Sequence, residues 1–180
     1  RLLAVGRQAQ RHEDAVAAAF EKAREHARTI IVENFVDGFD HRMLVVDGEL
    51  VAVAKRVPGH VVGDGERTIA ALVDEVNSDP RRGIGHEKVL TRIELDHQAN
   101  RLMDLAGKSA ETVLAAGEVF YLRSTGNLST GGTAVDMTDV VHPDNREMAS
   151  RAAQAIGLDV AGIDFITTDI SRSYREVGGG

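Results

Sequence analysis

The run Tyr121-Leu-Arg-Ser-Thr-Gly-Asn-Leu-Ser-Thr-Gly-Gly-Thr-Ala134 gathers one guanidinium, one amide, several hydroxyls and three glycines within fourteen residues. Backbone N–H groups beside glycines can approach an anion closely, and a guanidinium can neutralise it. This composition suits a loop that holds a phosphate or carboxylate, and it points to nucleotide-dependent chemistry. The same residue types also build ordinary turns. Upstream, Lys55 and Arg56 close an apolar run. From there Arg56 has a phosphate-facing reading and a bland one as an exposed charge. A basic cluster of Arg81, Arg82, His86, Lys88 and Arg92 either steers an acidic peptide end or is a solvated loop.

These groups need elements to hold them. Val16, Phe20, Ala23 and Ala27 recur at helical spacing, which predicts a helix over 13–27. The β-branched stretch 29–36 predicts a strand. Apolar runs at 43–46 and 50–54 flank Asp47-Gly48, a strong hairpin signal. Gly63-Asp-Gly65 marks a turn, 68–76 a helix, 79–92 a charged loop, 97–105 a short helix and 118–122 a strand leading into the opening motif. Pro143 suits the first turn of a helix that runs to Ile156 and is capped by Gly157. A last strand spans 160–167. This order is α+β with a largely antiparallel component, and not a regular doubly wound sheet.

At 180 residues the chain can bury a core as one domain or two small lobes. A net charge of −7 argues against a general nucleic-acid binder, though it leaves room for a nucleotide site. No stretch approaches the roughly 20 apolar residues of a membrane span, and Arg1-Leu-Leu-Ala-Val-Gly-Arg7 is no signal peptide. The absence of cysteine excludes disulfides and thiolate metal sites and fits a cytoplasmic setting. Val177-Gly-Gly-Gly180 reads as a turn before a further strand, so a fragment is expected.

Six segments occur in an order that resembles the ATP-grasp ligases, within them the ATP-grasp region of the cyanophycin synthetase family. They are residues 30–46, Val61-Val-Gly-Asp-Gly65, Asp79-Pro-Arg-Arg-Gly83, residues 122–134, Val141-His-Pro-Asp-Asn145 and Ala161-Gly-Ile-Asp164. The resemblance implies an ATP-grasp-like α+β domain with a mixed, largely antiparallel sheet and flanking helices, incomplete at both ends. Residues 1–28 would be an N-terminal segment and 29–180 the family-like body. It further implies an ATP- and Mg2+-dependent ligase that joins a carboxylate to an amine through an acyl phosphate. The expected substrates are amino acids or peptides: aspartate, and the end of a polymer with a polyaspartate backbone bearing arginine. No nucleic acid or membrane partner is expected, and a homo-oligomer is left open. The alternatives are another amino-acid ligase of the glutathione-synthetase kind, or a non-catalytic remnant that serves as a binding or assembly module.

By the same resemblance, Glu33, Asn34 and Phe35 form the linker that reads the adenine edge, and Asp40 holds the ribose hydroxyls. Asp164 matches a magnesium-ligating acid. Arg42 lies on the same side of its strand as Asp40, and it either pairs with that acid or reaches substrate. Arg123, with backbone amides from Ser129 to Gly132, would stabilise phosphoryl and tetrahedral oxygens, with Gly131 and Gly132 shaping that loop. Asn127 would donate to an oxygen and orient the amine. His60 is a further substrate-contact candidate. Two family features have no counterpart in the sequence: a second metal-ligating acid followed by an asparagine, and a phosphate-clamping lysine with its Gly-rich flap.

Overall fold

Asp47 and Gly48 adopt φ values of 50° and 77°, the left-handed pair that a two-residue hairpin turn requires. They join β1 (Phe39–Val46) to β2 (Glu49–Val57). The computed structural model describes residues 13–32, 36–85 and 87–180. Two compact units divide the chain, 1–36 and 37–180.

In the first unit, α1 (Glu13–Arg24) realises the helical spacing, with Lys22 and Arg24 in its last turn where cations complement the helix dipole. It stops short of the expected Ala27, whose amide bonds back to the Ala23 carbonyl at 3.1 Å. The strand expected over 29–36 is not formed by its described residues. Ile31 and Val32 lie exposed, and no ladder among the described residues includes them. β-branched composition favours a pleated, half-buried surface but does not supply the neighbour that makes one.

The second unit is built on a four-stranded antiparallel sheet in the order β7-β2-β1-β8, with β7 spanning Thr133–Asp136 and β8 Val160–Thr167. Alternation along β1 sends His41, Met43 and Val45 inward and Asp40, Arg42 and Leu44 to the opposite face. The inner face is covered by α4 (Pro143–Ile156), which presents Ala149 and Ala153 to Met43, Val45, Leu50, Val53 and Phe165. Small side chains at that seam let helix and sheet approach closely, and each fully buried large apolar residue contributes about 1.5–3 kcal/mol. As expected, Pro143 lies in the first turn of α4 and Gly157 caps it in the left-handed conformation. Buried Asn145 ties the next connection down by donating to the carbonyls of Ile170 (2.9 Å) and Arg172 (2.8 Å). A four-residue helix, α5 (Tyr174–Val177), and the strand β7 were not apparent in the sequence.

Between β2 and β7 the chain forms a smaller packed lobe. Its elements are β3 (His60–Val62), α2 (Ile69–Asn77), β4 (Arg82–Gly83), β5 (Leu90–Thr91), α3 (His97–Leu105) and β6 (Val119–Tyr121). β3 pairs with β6, and Val61, Ile69, Leu72, Met103, Leu114 and Leu122 fill the lobe's core. α2 and α3 lie where the periodicity puts them, capped by the side chains of Thr68 and Asp96. The stretch 79–92 is largely loop, with β4 and β5 as a two-residue parallel pair inside it. Among the described residues no helix is long and apolar enough to cross a membrane.

His41 is buried on the inner side of β1, with Nδ1 donating to the Phe39 carbonyl at 2.8 Å. Burial lowers its pKa below the ordinary 6.5. Below that value the unfolded chain takes up a proton that the folded chain refuses. Stability should therefore be full above pH 6.5 and fall as the pH drops below it. Denaturant melts across this range should show the slope, and His41→Gln should flatten it.

Candidate functional site

Strand register, and not sequence proximity, gathers the charges on the outer face of the sheet. Asp40 lies opposite Arg56, and Arg42 lies between Ala54 on one side and Asp164 on the other. Because alternate residues share a face, all four charged side chains project to the same side. Arg56 Nη2 donates to Asp40 Oδ1 at 2.7 Å and to Asp164 Oδ1 at 3.1 Å. Arg42 Nε reaches the same Asp164 oxygen at 2.8 Å. Gly162, two residues before Asp164, makes room for this. A Cβ there would sit 2.6 Å from Arg42 Nη1.

Arg56 is the hinge of the cluster. Burial opposes its charge, yet hydrogen bonding with Asp40 and the fields of Asp40 and Asp164 raise its pKa above the ordinary value. Its Nε is buried and has no acceptor, which is uncommon for so strong a donor.

The opening motif forms the wall above these residues. Gly126 presses against β2, where a Cβ would lie 2.8 Å from the Arg56 carbonyl oxygen. Asn127, Leu128 and Ser129 then line, with Arg42, Ala54, Arg56 and Ala134, an open cleft of about 350 Å³. A larger open depression of about 590 Å³ lies on α4 beside Tyr174. We place the chemistry in the smaller one, because only there do paired charges converge.

Arg123 occupies a different position from the anion-facing one expected of it. It is buried, and its guanidinium reaches the carbonyls of Thr130 (3.1 Å), Leu122 (3.0 Å) and Glu94 (3.1 Å) and both oxygens of Asp96 (3.1 Å each). These bonds account for the donor capacity of an arginine. Asp96 Oδ1 also accepts from the Ala99 amide at the start of α3. Arg123 thus clamps the loop to the lobe from beneath. Three of the four amides of the expected cradle are likewise turned inward. The amides of Thr130 and Gly132 bond the Asn127 carbonyl at 3.2 and 3.1 Å, and that of Gly131 bonds the Leu128 carbonyl at 3.3 Å.

The remaining candidates scatter. Glu33, Asn34, Phe35 and His86 lie outside the described residues. His60 packs beside the Tyr121 ring, 5.5 Å between centroids, and Lys55 sits over the Phe39 ring. The basic cluster does not converge: Arg81 pairs with Asp79 at 2.7 Å, and buried Arg82 donates to the carbonyls of Thr91 and Gly131. Arg42 pairs with Asp164, not with Asp40. Its two-residue spacing from Asp40 was visible, whereas its partner on β8, 122 residues away, was not.

Asp164 is half-exposed and meets Arg42 and Arg56 through one of its two carboxylate oxygens, and no three His, Asp or Glu side chains gather into a cation site among the described residues. A single carboxylate suits a magnesium ion held otherwise by substrate phosphates and water.

With this geometry in place, comparison with known proteins identifies the class first. A solved structure titled a bifunctional glutathione synthetase from Pasteurella multocida superposes with a TM-score of 0.69 at 32% identity, over 90% of this chain and 22% of that one. The fold is thus the α+β, ATP-grasp-like one, and the chain is similar to ATP-grasp ligases in sequence as well. Within it, the chain is 57% identical over 162 residues to the cyanophycin synthetase of Trichormus variabilis, over 90% of this chain and 18% of that protein. It is 36% identical over 158 residues to the glutathione biosynthesis bifunctional protein GshAB of Clostridium perfringens, over 88% of this chain and 20% of that protein. The chain therefore spans about a fifth of the length of these relatives. No family model matches it.

Proposed function

We propose that the chain is the nucleotide-phosphate part of an ATP-dependent carboxylate–amine ligase of the cyanophycin-synthetase kind, which adds aspartate to a polyaspartate end. The observation that carries the reading is the convergence of Arg42 and Arg56 on one sheet face beneath the Asn127–Ser129 wall. In such a reaction a substrate carboxylate oxygen attacks the γ-phosphorus of ATP, and the bond to ADP breaks. The amine nitrogen then attacks the acyl carbon, phosphate departs with the C–O bonding pair, and the amine loses a proton to solvent. Both steps develop negative charge on oxygen, which preorganised donors stabilise.

In this proposal the two guanidinium groups hold phosphoryl oxygens, since a planar fork matches phosphate. Asn127 donates from its side-chain amide to a substrate oxygen and orients the amine through its carbonyl. Ser129, Gly131 and Gly132 shape the wall, Asp40 takes the ribose hydroxyls, and Glu33, Asn34 and Phe35 take the adenine. Arg123 serves by holding the wall in place.

Calorimetry of the 180-residue chain with ATP should give saturable binding near micromolar concentration, with aspartate- and primer-dependent ADP release as the activity to look for in the ligase. Silence up to millimolar ATP would favour a non-catalytic module. That second reading draws on one feature, the two arginines that neutralise Asp164. ADP release that ignores aspartate but responds to another amino acid would point to a ligase of the glutathione-synthetase kind.

A further inference from the structure

Arg82 is 7% exposed and forms no ion pair among the described residues, while the neighbouring Asp79 pairs with Arg81. Burial lowers its pKa from the ordinary 12.5. A buried cation without a paired carboxylate costs stability that an apolar side chain of similar length would not. What the guanidinium offers in return is a pair of hydrogen bonds between separate elements. Nη1 donates to the Thr91 carbonyl on β5 at 2.6 Å and to the Gly131 carbonyl at 3.0 Å. Gly131 belongs to the turn that walls the cleft.

That turn is closed on itself. The amides of Thr130 and Gly132 both bond the Asn127 carbonyl, and a Cβ on Gly132 would lie 2.7 Å from that oxygen. Gly131 has a φ of 94° and presses against the chain beyond β5, where a Cβ would come 2.8 Å from Ile93 Cγ1. A unit so tightly bonded moves as one piece, and its anchors set its height over the sheet. Arg123 holds the Thr130 carbonyl, and Arg82 holds the next one from 49 residues earlier in the chain.

We propose that Arg82 is a positioning residue for the cleft, fixing the Asn127–Ser129 wall over the charged sheet face by gripping Gly131 from β4. This rests on the reading of that cleft as the ligand site. Arg82 itself does not line the cleft. Its influence on a ligand therefore passes through the wall.

The test combines amide hydrogen exchange of the 180-residue chain, read by NMR, with calorimetry against ATP. Arg82→Met keeps an unbranched stem and removes both hydrogen bonds. It should fold, since it also relieves the buried charge. The amides of Gly131 and Gly132 should exchange about 10- to 100-fold faster than in the parent, the scale of one hydrogen bond from a charged donor. Those of β1 and α2 should hold. ATP affinity should fall on the order of tenfold, through misplacement of the wall. Arg82→Lys can still donate to both carbonyls from one nitrogen, and its exchange at the same two amides should fall between those of the parent and Arg82→Met. It carries the comparison should the methionine variant fail to fold. Wall amides that exchange as in the parent, or that quicken in step with β1 and α2, overturn the inference. Selective loosening of the wall with unchanged ATP affinity overturns it too. A parent that does not bind ATP counts against the nucleotide reading, while selective exchange at Gly131 and Gly132 still upholds the grip of Arg82 on the wall.

Discussion

Arg123→Ala should lower the stability of the chain by about 3 kcal/mol, the scale of leaving several buried acceptors and one carboxylate without their donor. The residue is 4% exposed and joins the carbonyls of Leu122, Thr130 and Glu94 to the Asp96 carboxylate that also starts α3. For a domain of this size the loss corresponds to about 6–12 °C in melting temperature. Arg123→Lys should recover only part of it, because an ammonium cannot form the planar fork to both Asp96 oxygens. Differential scanning calorimetry of the three proteins decides. An unchanged melting temperature together with lost ATP binding would return Arg123 to the ligand's own contacts. The expected order places the residue in the scaffold, so turnover by Arg123→Ala alone cannot report on chemistry.

Arg123 also shows where sequence reasoning ends. The motif 121–134 announced a loop with an anion-compatible composition, and the loop does wall the cleft. Its side-chain directions were not legible, because they depend on Glu94 and Asp96, which belong to a segment about thirty residues earlier. Local patterns did better wherever the determinant was local. The Asp47-Gly48 hairpin, α2, α3, α4 with its Pro143 start and Gly157 cap, and β8 all follow from turn chemistry or periodicity. The strand expected at 29–36 and the unforeseen β7 mark the opposite case. A strand exists only where a ladder accepts it, and β7 owes its existence to the free edge of β2. The Asp40, Arg42, Arg56 and Asp164 cluster is of the same kind. Each residue was visible as a charge, but the pairing of β1 with β8 decides which charges meet.

Arg56→Ala should weaken ATP or tripolyphosphate binding by about 10- to 100-fold, the loss expected for hydrogen bonds between a charged donor and phosphate worth about 1.5–3 kcal/mol. Arg56 lies at the centre of the charged face, hydrogen-bonded to both acids and covered by Gly126 of the loop. Its removal leaves Asp40 and Asp164 facing the incoming anion with Arg42 as the remaining cation of the cluster. The deficit should therefore shrink as salt screens those carboxylates. Arg56→Lys keeps a unit charge but gives up the geometry that spans two acceptors, so its affinity should fall between those of the parent and the alanine variant. Isothermal titration at low and high salt reads all three. The melting temperature of Arg56→Ala should change less than that of Arg123→Ala, since Arg56 bonds side chains that water can reach in its place. Affinity independent of residue 56 at both salt concentrations would move the phosphate site off this face of the sheet.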